Sequence, residues 1–73
     1  MMNAGQRLRE LRKERGLPIA VLARKARVGL QTLSNAERWG LPLPYKSAER
    51  IAQVLGVPVE ELLDEPQGEV SES

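Results

Sequence analysis

The chain has 73 residues, 41% of them apolar and 29% charged, with no Cys or His and a net charge of +1. That length fits one domain near the lower limit for folding without disulfides or metal, and the missing Cys and His remove disulfides, the commonest metal ligand and the commonest general base. Residues 1–50 hold all eleven Lys and Arg against four Glu, net +7, whereas residues 51–73 hold six acids and no base, net −6. This split points one surface at a polyanion.

Asn3 and Gln6 form a capping-box pattern that predicts a first helix over Ala4 to Arg15, with Ala4, Leu8 and Leu11 inward and Gly16 as its stop. Its basic side chains (Arg7, Arg9, Arg12, Lys13 and Arg15) are expected mostly in solvent, one or two reaching a phosphate. Pro18 suits the start of a second helix running to Ala26. Leu22, Ala23 and Ala26 share its inner face, and Ala23 is small enough for two backbones to approach. The turn Arg27-Val28-Gly29 follows, with Val28 as a plug beneath it.

A third helix is predicted from Leu30 to Arg38 or Trp39, held by Leu33 and Ala36. Its other positions, Leu30, Gln31, Thr32, Ser34, Asn35 and Arg38, are rich in amides and hydroxyls rather than Lys and Glu. Such groups both donate and accept hydrogen bonds, as reading a base edge requires. Trp39 to Pro44 then form a stiff apolar loop, since alternating Pro favours extended backbone. A fourth helix follows over Tyr45 to Leu55, with Tyr45, Ala48, Ile51, Ala52 and Leu55 as its stripe. A short fifth helix is predicted over Val59 to Leu63, where Glu60 and Glu61 suit the first turn better than they suit a metal pair. Residues 1–64 are read as the domain and 65–73 as an acidic tail expected to be disordered.

The spacing from Ile19 to Arg38 resembles the helix-turn-helix of the Cro and repressor (XRE) class, and the likeness extends from about Gly5 to about Leu63. The resemblance implies an all-α, compact five-helix bundle of lambda-repressor type. It also implies a structural ion pair between Arg12 and Glu37. In such a domain Leu30, Gln31 and Asn35 face base edges, while Arg24, Lys25, Arg27, Thr32, Arg38 and Lys46 meet phosphates. Three positions depart from the class: Arg27 stands where Gly is usual, Gly29 takes the helix-cap position where Ser or Thr is frequent, and Ile19 stands where many relatives have Gln. A left-handed Arg27 costs about 1–2 kcal/mol.

Trp39 reads either as largely buried, its usual place, or, with Leu41 and Leu43, as an apolar association surface. The resemblance makes the second a dimer contact that sets two recognition helices about one turn of DNA apart. The expected protein is a cytoplasmic, sequence-specific regulator, a homodimer on double-stranded DNA, with no cofactor, membrane span, small-molecule substrate or catalytic residue. The alternative is a protein-interaction module on the same fold, an antitoxin or anti-repressor partner, that has lost base readout; Ile19, Leu30 and Trp39 favour it.

Overall fold

Asn3 opens the first helix with a complete capping box: the Gln6 amide N–H donates to Asn3 Oδ1 at 2.8 Å and the Asn3 N–H donates to Gln6 Oε1 at 3.0 Å. The computed structural model describes residues 3–63, so the acidic tail predicted for 65–73 lies outside the described residues. Within them the chain is all helical, with α1 (Ala4–Glu14), α2 (Ile19–Ala26), α3 (Leu30–Trp39), α4 (Tyr45–Leu55) and a 3-10 turn (Val59–Leu62). The fifth α-helix expected from the sequence is therefore not formed. Four residues between Pro58 and an extended Leu63 close one 3-10 turn, too few to repay the nucleation of an α-helix.

The apolar positions converge on one core. Leu8, Leu22, Leu33 and Ile51 are fully buried, with Ala23, Ala26, Ala36, Ala48, Ala52, Leu55 and Leu62 around them. Alanines occupy nearly half of these places, which lets helices of eight to eleven residues approach closely. α3 packs between α1 and α2, while α4 closes the other side against α2 and the 3-10 turn. Val28 is half-buried against the core, as a plug under the turn should be.

Tyr45, assigned to the inner stripe of α4, is 48% exposed, which corrects that expectation, and of the two readings of Trp39 the exposed one holds, at 68%. α4 starts at Tyr45 and α3 ends at Trp39, so both rings project from helix ends beyond the reach of the core. Ala4, placed on the inner face of α1, is only half-buried, and Gly5 takes the buried position instead.

Gly5 marks where α1 meets α3. A Cβ added there would run into the backbone carbonyl oxygen of Ala36. No rotamer change can relieve contact with a backbone atom, so this site admits only glycine.

Arg27 is left-handed, with φ 59° and ψ 43°, and is the only non-glycine residue at positive φ among those described. Its N–H still caps α2, and Val28 N–H donates to Ala23 O at 3.0 Å. The position thus makes the bonds a glycine would make while carrying a side chain. Arg27→Gly is expected to raise stability by about 0.5–1 kcal/mol, the relief of left-handed strain less the extra freedom of the unfolded chain. Denaturant unfolding would measure it.

Candidate nucleic-acid interface

α3 is held by its inner side and leaves one edge outward. Leu33 and Ala36 are buried in the core, and Glu37 is gripped from α1. Arg12 Nε donates to Glu37 Oε2 at 2.7 Å and Arg12 Nη2 donates to Glu37 Oε1 at 2.9 Å. The third guanidinium nitrogen, Nη1, donates to the Leu17 carbonyl at 2.8 Å. The two side chains are 14% and 7% exposed. Hydrogen bonding to Glu37, reinforced by its charge and opposed by burial, raises the Arg12 pKa above its already high ordinary value. This fork-to-fork pair fixes the rotation of α3 about its own axis.

With that rotation set, Leu30 is 49% exposed, Gln31 and Thr32 are exposed, and Ser34 and Asn35 are half-buried. Gln31 Nε2 donates to Asn35 Oδ1 at 3.2 Å across one turn of helix. The link holds two amides side by side and still leaves Gln31 with its oxygen and one N–H. That donor and acceptor together are the set a bidentate contact to adenine needs.

The arginines divide into two groups. On α1 and at its C-terminal cap, Arg12 is bound to Glu37, Arg15 Nε donates to the Leu55 carbonyl at 2.7 Å, and Arg7 Nη1 donates to the Glu61 carbonyl at 2.9 Å. Arg7 and Arg15 thus tie α1 to the end of α4 and to the 3-10 turn, although the sequence pattern had placed them in solvent. Arg24, Lys25, Arg27, Arg38 and Lys46 are exposed, and none of them is in an ion pair among the described residues. They flank α3: three precede it along the chain, Arg38 lies in its last turn, and Lys46 lies in the first turn of α4.

Ile19 is half-buried and packs on the core. With Arg9, Arg12, Ser34, Glu37 and Arg38 it lines a shallow open depression where α1, α2 and α3 meet. Arg9 joins Arg38 there, a convergence of residues 29 positions apart in the chain that no local pattern signals. Trp39, Leu41 and Tyr45 are each exposed where α3 ends and α4 begins, and Leu43 between them in the chain is half-buried against the core. Among the described residues no three His, Cys, Asp or Glu are placed to hold a metal ion, and no helix is long and apolar enough to cross a membrane.

A family model described as a helix-turn-helix domain matches residues 4–65. The HTH-type transcriptional regulator SinR of Bacillus subtilis is 42% identical over 62 residues, covering 84% of this chain and 56% of that protein. The HTH-type transcriptional regulator DdrOP3 of Deinococcus deserti is 35% identical over 63 residues, covering 86% of this chain and 49% of that protein. The chain spans about half the length of these curated relatives. The crystal structure of SinR in complex with DNA matches this fold with a TM-score of 0.74 at 38% identity, over 81% of this chain and 95% of that one.

Proposed function

This chain belongs to the helix-turn-helix family of the Cro and repressor (XRE) type, and from that premise we propose that it is a sequence-specific transcriptional regulator whose α3 enters the major groove of double-stranded DNA. The observation that carries this reading is the outward amide edge of Gln31 and Asn35, beside exposed Leu30 and flanked by cations without ion-pair partners. In the proposed complex Gln31 and Asn35 pair with base edges and Leu30 rests on a thymine methyl. Arg24, Lys25, Arg27, Thr32, Arg38 and Lys46 hold phosphates, supplying affinity and register without sequence information. The working unit is a cytoplasmic homodimer on a palindromic site, joined through Trp39 and Leu41 with Leu43 below.

Selection from random duplexes across a salt series tests the reading. Gln31→Ala is expected to relax preference at one base pair by about 1–3 kcal/mol, while Arg24→Ala weakens all duplexes alike and lowers the salt slope by about 1. Absence of any retained duplex at low salt would refute the reading. A second reading, an interaction module serving as an antitoxin or anti-repressor partner, draws on the exposure of Leu30 and Trp39. Capture of a protein partner that survives nuclease, together with no duplex selection, would favour it.

A further inference from the structure

Arg9 stands on the side of α1 that meets α3. It follows Gly5, where α1 approaches the Ala36 carbonyl, by one helical turn, and it precedes Arg12, the partner of Glu37, by three residues. Residues so spaced share one helix face. On α3, Glu37 and Arg38 lie three and four residues after Ser34, so these three also neighbour one another. The two faces meet in the depression that Ile19 also lines. Arg9 and Arg38 are exposed there, while Ser34 and Ile19 are half-buried.

The charges in the depression do not cancel. Arg9, Arg12 and Arg38 stand against Glu37, the one acid lining it among the described residues, which leaves a net +2. Both oxygens of Glu37 are bound by Arg12, and the remaining Arg12 nitrogen serves the Leu17 carbonyl. Neither Arg9 nor Arg38 is in an ion pair among the described residues. Two unmatched cations drawn to one concavity raise the local potential and favour an anion. Ile19 lines it without a hydrogen-bonding group, so the donors on offer are two guanidinium forks and the Ser34 hydroxyl. Such forks match the oxygens of a phosphate. Gln31 lies three residues before Ser34 on α3, so the depression adjoins the amide edge.

We propose that Arg9 is a phosphate-holding residue and that, with Arg38 and Ser34, it forms a seat for a single phosphate group. That the phosphate belongs to a DNA strand rests on the DNA-binding reading; the seat itself requires only the chemistry of the group. In the complex the seated phosphate fixes how far α3 reaches along the groove, because the seat and Gln31 are parts of one rigid helix face. Arg9 thus brings α1 into contact with the duplex.

The test uses the full chain and the duplex retained in selection, with its phosphates replaced one at a time by uncharged methylphosphonate. One linkage in each half-site is expected to weaken binding of the unaltered chain about tenfold. Arg9→Ala is expected to bind the unmodified duplex about tenfold more weakly and to lose little more when that same linkage is neutralised; Arg38→Ala should map to the same linkage. Arg9 is exposed, so the unfolding midpoint of the variant should not move. Arg9→Ala binding as tightly as the unaltered chain, or Arg9 and Arg38 mapping to different linkages, would overturn the seat. A second arm contains no DNA: inorganic phosphate is added at constant ionic strength while the side-chain Nε–H signals of the arginines are followed. Joint shifts at Arg9 and Arg38, larger than at Arg24 and reduced at Arg38 in Arg9→Ala, show a seat that takes free phosphate. A response to the duplex alone shows one that takes phosphate only from a strand. If no duplex is retained, the regulator reading falls and the phosphate titration decides the seat: absence of those joint shifts then overturns it.

Discussion

Glu37→Ala is expected to destabilise the domain by about 3–5 kcal/mol, because it leaves the Arg12 guanidinium inside the fold without its carboxylate. Small domains have about 5–15 kcal/mol in all, so this one change brings the protein close to unfolding. The cost comes from stranding a charge rather than from a large net worth of the pair. Arg12→Met combined with Glu37→Leu is therefore expected to recover most of the loss, falling short by about 1 kcal/mol for the Leu17 carbonyl that Arg12 also serves. Denaturant unfolding of Arg12→Met, of Glu37→Leu and of the double variant measures this coupling. The expectation fails if the double variant is as unstable as Glu37→Ala.

The pH dependence of the pair follows from the raised Arg12 pKa. A base whose folded pKa lies above its unfolded value contributes stability at all lower pH and loses it only as pH climbs through the folded value. For Arg that window lies far above neutrality, so Arg12 makes a constant contribution between about pH 5 and 8. Salt should likewise matter little to side chains this buried. Proposed contacts to DNA phosphates should instead weaken steeply with salt, which separates the two kinds of arginine by experiment.

Gly5→Ala is expected to cost up to about 3 kcal/mol, the upper end for overpacking, since the added methyl meets the Ala36 carbonyl oxygen and not a side chain able to turn aside. Alanine favours helix over glycine by about 1 kcal/mol, so a loss of stability here would show that interhelical approach outweighs propensity. The substitution would also push α1 from α3, and with it Arg12 from Glu37. Two readouts follow: a lower unfolding midpoint, and disturbed amide signals at residues 36–40 of α3. A gain in stability would refute the close approach.

Much of this was readable along the chain. The capping box at Asn3, the starts after Pro18 and Pro44 and the ends at Trp39 and Leu55 follow from local chemistry and agree with the structure, while the left-handed Arg27 is signalled only by the Gly usual there in the class. The Arg12–Glu37 pair, expected from resemblance alone, is present. Other features differ. Tyr45 has the spacing of a core residue, yet its place at a helix end carries it out of the core, and Trp39, for which burial and exposure both stood open, is exposed for the same reason. Arg7 and Arg15 have the spacing of solvated charges, yet each finds a backbone carbonyl. The segment after Pro58 has a helix start, but only one turn forms.

The sequence by itself determined the four helices, the inner residues of α2 and α3 and most of those of α1 and α4, the amide character of α3 and the segregation of charge, because each depends on residues within a turn or two of one another or on simple sums. Only the tertiary structure decided which cations stay outside the fold's own bonds and why position 5 must be glycine. Those outcomes join residues 25 to 54 positions apart. Helical periodicity says that a side chain points inward, and packing alone says what it meets there.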